Sequence, residues 1–171
     1  RPVFTLDPAY HAGAYYVQEA SSMAILYALW QWLGDSNRPL KILDLCAAPG
    51  GNSTLLTHLG EQHLLVANEV IKSRYAILQE NLQRWGTTNK IITNHDVADF
   101  APLAGFFDVV LVDAPCSGEG LFRKDAAASE HWSPAAVEQC SSRQKRILAG
   151  AQALVKPNGI LLYCTCTYNK K

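Results

Sequence analysis

Neither sign of charge is in excess: 15 Lys and Arg stand against 15 Asp and Glu, for a formal net charge of zero. Nucleic-acid affinity comes largely from neutralised phosphates, so this balance argues against a free-standing nucleic-acid binder. It leaves room for a catalytic module whose RNA-gripping parts lie elsewhere. No run of about 18 or more uncharged apolar residues occurs, so no membrane span is expected. No basic-then-apolar segment opens the chain as a secretory signal would. Cysteine is sparse and odd in number: Cys46, Cys116, Cys140, Cys164 and Cys166. That count and spacing fit no disulfide framework. Cys164-x-Cys166, without a companion His or Cys pair, fits no structural zinc site. The expectation is a reduced, cytoplasmic, metal-free protein. Neither the dinucleotide signature G-x-G-x-x-G nor the phosphate loop G-x-x-x-x-G-K-[ST] is found. The chain does not begin with Met and stops at Tyr168-Asn169-Lys170-Lys171, so it reads as a fragment of a longer protein.

What is present is an ordinary globular composition, 49% hydrophobic and 18% charged over 171 residues, which predicts one domain over 1–171. Residues 1–16 read as irregular. Met23, Leu26, Tyr27 and Trp30 recur at helical spacing, predicting a helix over Val17–Leu33. Lys41-Ile42-Leu43-Asp44-Leu45 predicts a buried strand. After a tight turn, Asn52 to Leu59 reads as helix. A second strand runs from Leu64 to Glu69, a second helix from Lys72 to Trp85, and a weak third strand over Ile91-Ile92-Thr93. Asp108 to Asp113 is a strong fourth strand, Pro134 to Val155 a long helix, and Gly159 to Cys164 a fifth strand. This alternation predicts a doubly wound parallel sheet with helices on both faces. Ligands of such sheets bind beyond the carboxyl ends of the strands. Asp44, Glu69, Asp96, Asp113, Cys116 and Cys166 all fall there.

Ala47-Ala48-Pro49-Gly50-Gly51-Asn52-Ser53 joins the first strand to its helix, and its small residues let a ligand approach the backbone. A plain strand–helix turn has the same composition. Glu69 can accept both hydroxyls of a ribose, or serve only as a favourable charge at a helix start. Asp96 can meet an adenine amino group or simply form an Asx turn. The basic groups Lys72/Arg74, Arg123/Lys124 and Arg143/Lys145/Arg146 read as solvated faces. Any single cysteine reads first as a small buried hydrophobe. Two thiols that end adjacent strands, Cys116 in Asp113-Ala114-Pro115-Cys116-Ser117-Gly118 and Cys166 in Thr165-Cys166-Thr167, read as a pair over one cleft.

Three segments, Asp44–Gly51, Asp113–Gly118 and Tyr163–Thr167, resemble the signature blocks of the RNA 5-methylcytosine methyltransferase family (Nop/Sun type). Tyr15–Met23 resembles its upstream cofactor-flanking motif. Gly118-Glu119-Gly120-Leu121-Phe122-Arg123-Lys124-Asp125 is similar to the bacterial 16S rRNA RsmF-like branch. The resemblance covers nearly the whole chain. It implies a Rossmann-like class I methyltransferase fold with strand order 3-2-1-4-5, stopping before the last strands. It implies methyl transfer from S-adenosylmethionine to carbon 5 of a cytosine in RNA, ribosomal RNA ahead of tRNA, by a monomeric enzyme. Cys166 would be the nucleophile, Cys116 would assist breakdown of the adduct, and Asp113 would face both cofactor and base. The nucleophile is expected to have a lowered pKa. Ala47 to Ser53, Glu69, Arg74, Asp96 and Asp113 would hold the cofactor, and Arg123 and Lys124 the RNA. Two residues depart from the family pattern. Asn52 replaces the common Lys, and Cys164 replaces the usual Ser. DNA cytosine-5 methyltransferases share Pro-Cys but not Thr-Cys, and amino-directed enzymes carry Pro-Pro-aromatic in its place. A non-catalytic nucleotide-binding or RNA-scaffolding module would need neither thiol.

Overall fold

The computed structural model describes residues 3–34, 36–122 and 132–168. Five strands form one sheet: β1 (Lys41–Asp44), β2 (Leu64–Asn68), β3 (Lys90–Thr93), β4 (Phe107–Asp113) and β5 (Val155–Cys164). All pairings are parallel, in the order β3-β2-β1-β4-β5. This is the order expected from the family resemblance.

The strands are apolar runs because both faces of the sheet are covered. On one face lie α2 (Met23–Leu33), α3 (Gly51–Leu56) and α4 (Lys72–Trp85). Leu29, Leu40, Ile42, Leu65, Val109 and Leu111 form the core beneath α2. On the other face lie α5 (Pro134–Leu154) and a helical turn over Val97–Leu103. There Leu43, Val66, Phe107, Val110 and Val112 pack with Ile147 and Leu154. Ile42 and Leu43, adjacent in β1, thus serve opposite cores, as the two-residue pleat requires. A short helix, α1 (Pro8–His11), precedes these elements.

Local signals explain the boundaries. Ser133 caps α5 by accepting from Ala136 N–H at 3.1 Å, and Pro134 takes the first helical position. Gly86, with φ 84°, ends α4. Most boundaries shift by a residue or so from expectation, and two differ by more. Residues 17–19 are not helical; instead Gln18 reaches across to donate to the Gly51 carbonyl at 2.6 Å. And β5 begins at Val155 rather than Gly159. The Lys156-Pro157-Asn158-Gly159 break is a bulge within the strand, where the register jumps from Phe107↔Val155 to Val109↔Ile160.

At the amino ends of β1, β4 and β5, the buried Asp108 carboxylate accepts from Arg38 at 2.6 Å, Lys41 N–H at 2.9 Å and Lys156 at 2.9 Å. At the opposite, carboxyl ends, the elements open into a cleft. Among the described residues no helix is long and apolar enough to cross a membrane.

Candidate active site

The cleft begins where β1 ends. Asp44 is fully buried and accepts a hydrogen bond from Ser53 Oγ at 2.6 Å; its other oxygen has no hydrogen-bond partner. Burial raises its pKa to about 7 against the pull of Ser53, and the nearby Asp113 and Glu69 add to the rise. The chain then turns over Ala47 and Ala48 to Gly50, whose φ of 112° is left-handed. A side chain in that conformation would be strained, which is why glycine suits the turn.

Glu69 follows β2 and is almost fully buried. Its Oε1 accepts from Ile71 N–H at 2.9 Å, at the start of α4. Its Oε2 lies 3.4 Å from an Arg74 nitrogen but accepts no hydrogen bond. Arg74 is committed elsewhere, donating to the Ala48 carbonyl at 2.6 Å. Glu69 and Arg74 line a cavity of about 210 Å³ together with Cys46, Val70, Ile71 and Asp96. Its far wall comes from α5, through Arg143, Arg146 and Ile147.

Asp96 lines this cavity but is heavily engaged. It accepts from Ala98 N–H as the cap of the Val97–Leu103 turn, and Arg146 grips both of its oxygens at 2.8 and 3.0 Å. Hydrogen bonds from Arg146 and Ala98 hold its pKa below the usual carboxylate value. The turn-forming role weighed from sequence is therefore realised, with a cation added from α5.

A second cavity of about 330 Å³ adjoins the first at Cys46. Ala47, Ala48, Pro49, Gly51 and Asn52 form one side, Tyr16 to Glu19 another, and Asp113 the end. Asn52 donates to Asp113 Oδ2 at 3.0 Å, so the residue that departs from the family pattern holds the carboxylate at the tip of β4. Ser53 faces Asp44 rather than this cavity's lining.

Past Asp113 the thiols meet: Cys116 Sγ and Cys166 Sγ are 2.6 Å apart. The expected lowering of the nucleophile's pKa is not found. Cys166 is raised by burial, by its contact with Cys116 and by the negative charge of Asp113. Burial is the largest cause, and the thiol and carboxylate neighbours penalise a thiolate further. Cys164 and Cys46 are pushed up to about 12, chiefly by burial, and stay thiols. Cys164 packs into the core beneath α2, with Sγ 3.8 Å from the Val112 carbonyl.

Sequence reasoning passed over several residues that line these cavities. Arg143 and Arg146 read as a solvated helix face. Val70-Ile71 carried a signal, being an apolar pair directly after the ribose-type carboxylate and still 51% and 45% exposed. Arg123 and Lys124 lie outside the described residues.

An open parallel sheet of this order, with a carboxylate-bearing cavity over its carboxyl edge, is the Rossmann-like methyltransferase fold. The chain belongs to the 16S rRNA methyltransferase RsmB/F family, whose model matches residues 31–171. It is 41% identical over 162 residues to ribosomal RNA small subunit methyltransferase F of Erwinia tasmaniensis, covering 94% of this chain and 33% of that protein. Among solved structures it is similar to NSun6 from Pyrococcus horikoshii with SFG: TM-score 0.79, 26% identity, 99% of this chain and 42% of that one. A methyltransferase homolog protein from the same organism gives a TM-score of 0.77 at 30% identity, covering 99% of this chain and 51% of that one. The chain spans about a third of the length of the curated relatives it matches.

Proposed function

We propose that residues 1–171 are the catalytic core of an S-adenosylmethionine-dependent enzyme that methylates carbon 5 of a cytosine in ribosomal RNA. The observation that carries this reading is a pair of cavities that share Cys46, one lined by Glu69 and the other ending at Asp113, three residues before Cys116 of the Cys116–Cys166 pair. The relatives named as small-subunit rRNA methyltransferases support the substrate class, and the NSun6 structure with SFG, an S-adenosylmethionine analogue, supports the cofactor.

The residues present fit that cofactor. Glu69 offers a buried oxygen that accepts no hydrogen bond, suited to ribose hydroxyls. Val70, Ile71 and Val97 offer an apolar slot for a base, with Asp96 at its edge. Ala47 to Gly51 leave the backbone accessible to the methionine part, and Asn52 and Asp113 give it polar partners. When bound, S-adenosylmethionine supplies an electrophilic methyl group.

Cytosine carbon 5 is too weak a nucleophile to take that methyl unaided. Addition of Cys166 sulfur to carbon 6 makes carbon 5 enamine-like, splitting one hard step into two. As the Cys166 sulfur adds to carbon 6, its proton would pass to ring nitrogen 3; after methyl transfer the carbon 5 proton would leave to Cys116 as the carbon 6–sulfur bond breaks, restoring the ring and the free Cys166. Asp113 stands between cofactor cavity and thiols, placed to hydrogen-bond the ring edge. Cys116, in contact with Cys166, is placed to assist release of the adduct. The base has to be single-stranded or flipped to reach this depth. Arg123 and Lys124 would hold its backbone, and the enzyme would act as a cytoplasmic monomer.

The test is a methylation assay of the full-length protein on ribosomal subunits and bulk tRNA, with the modified base mapped. The expected product is 5-methylcytosine in ribosomal RNA. Methylation of an exocyclic amine, or of tRNA alone, would overturn the reading. For the cofactor end, Glu69→Ala should weaken S-adenosylmethionine binding by about 1–3 kcal/mol, the loss of charge-assisted hydrogen bonds. Unchanged affinity in titration calorimetry would remove Glu69 from the site.

A further inference from the structure

The loop after β4 and the loop after β5 carry one thiol each, and past the register pair Asp113↔Cys164 the main chains meet at the Ala114 N–H to Cys164 carbonyl bond, 2.9 Å, and again at Gly120 and Cys166. Side chains add to the main-chain bonds that hold Cys116 near Cys166. The side chain at the crossing of these loops is Glu119, in the short helical turn Glu119–Leu121.

Its carboxylate gathers donors from three directions. Glu119 Oε2 accepts from the Thr167 hydroxyl and from Tyr168 N–H, the latter at 2.8 Å. Oε1 accepts from Trp132 Nε1 at 2.7 Å, at the chain's return toward α5. Ser117 Oγ lies 3.2 Å from Thr167 Oγ1, extending the same network back toward Cys116. Beside it the backbones touch: Gly120 N–H donates to the Cys166 carbonyl at 2.8 Å. A Cβ on Gly120 would lie 2.7 Å from that carbonyl and 3.1 Å from Cys166 Cβ, so glycine is what permits the approach. Burial acts to raise the Glu119 pKa, yet the Thr167, Tyr168 and Trp132 hydrogen bonds bring it down to about 2. The group therefore stays an anion with its donors at any working pH.

We propose that Glu119 is a positioning residue: its carboxylate clamps the Thr167–Tyr168 segment to the Cys116 loop and so sets the separation of Cys116 from Cys166. Its bearing on catalysis rests on the thiol chemistry proposed above. Glu119 acts through Thr167 and Tyr168, which directly follow Cys166. A displacement of about 1 Å at a reacting group can cost a hundredfold in rate, so loss of such a clamp has a large readout.

The experiment compares full-length wild-type protein with Glu119→Ala, Glu119→Gln and Thr167→Val. Two quantities are read. One is the rate at which a short bifunctional thiol reagent cross-links Cys116 to Cys166 without RNA, mapped by mass spectrometry. The other is kcat for rRNA methylation, beside the S-adenosylmethionine Kd. Glu119→Ala is expected to slow cross-linking and lower kcat by about a hundredfold, with Kd unchanged. Glu119→Gln keeps an acceptor oxygen and should recover part of both. Should Glu119→Ala fail to fold, Thr167→Val removes one strand of the clamp and should move both readouts the same way, by less. Wild-type cross-linking and kcat in folded Glu119→Ala would overturn the proposal. So would a kcat that falls while cross-linking does not. If the wild type methylates no cytosine, the functional reading fails alone. Glu119-dependent cross-linking in that same protein would still support the clamp.

Discussion

Cys166→Ala is expected to abolish methylation, by about ten-thousandfold or more, and to leave no covalent protein–RNA complex. Without the sulfur, carbon 6 receives no nucleophile and carbon 5 is never activated. Cys116→Ala should behave oppositely. Attack and methyl transfer proceed, but resolution stalls, and a covalent complex accumulates. With the two sulfurs 2.6 Å apart, one thiol would be within reach of the other's adduct. Cys164→Ser should leave activity largely intact, because it restores the family's usual residue at a position that packs into the core beneath α2. Denaturing gel electrophoresis of each full-length variant with labelled RNA reads all three. A stable adduct with Cys166→Ala and none with Cys116→Ala would exchange the roles and align the mechanism with the DNA cytosine-5 enzymes.

The second large effect lies at the far end of the sheet. Asp108→Ala should destabilise the fold by about 3 kcal/mol, the low side of the range for breaking a buried ion pair, since Arg38 and Lys156 keep access to water. Asp108 itself is buried and joins β1, β4 and β5 at their starts. Burial works against its charge, but the Lys41 N–H, Lys156 and Arg38 outweigh it and hold the pKa at about 2. The folded value lies below the unfolded one of about 3.9. Its stabilisation is therefore complete above about pH 4 and is lost as pH falls toward 2. Denaturant midpoints of wild type and variant should differ most at neutral pH and converge below pH 4. Equal midpoints at pH 7 would strip Asp108 of this role. The folded variant should bind S-adenosylmethionine normally, because the cleft is at the other end.

The fold was legible because a parallel sheet covered on both faces writes itself as uninterrupted apolar runs, such as Val109 to Val112. The rule that ligands gather at strand carboxyl ends then pointed to Asp44, Glu69, Asp113 and the thiols. What stayed hidden depends on partners distant in sequence. Val17 to Glu19 carry a helical pattern, yet Gln18 is drawn off to Gly51, 33 residues on. Pro157 and Gly159 mark a break, but neighbour β4 turns that break into a bulge. Arg146 looks like a solvated lysine-type residue on a helix until α5 is laid beside Asp96. The raised pKa of Cys166 is a property of its surroundings in space, above all burial, Cys116 and Asp113, and no motif reports it.

The central place of β1 has a consequence for the chain's own synthesis. β1 pairs with β2 soon after it is made, but its other edge waits for β4, with Ile42 answered only by Val109. Synthesis runs from the amino terminus, so β1 to β3 exist before β4 is made. The Glu69 half of the cleft can therefore assemble first, around a sheet whose middle strand still presents an open apolar edge. Such an edge invites pairing with another chain. Until β4 is made that edge of β1 stays unpaired, and the strand that closes it also brings in the first thiol-bearing loop.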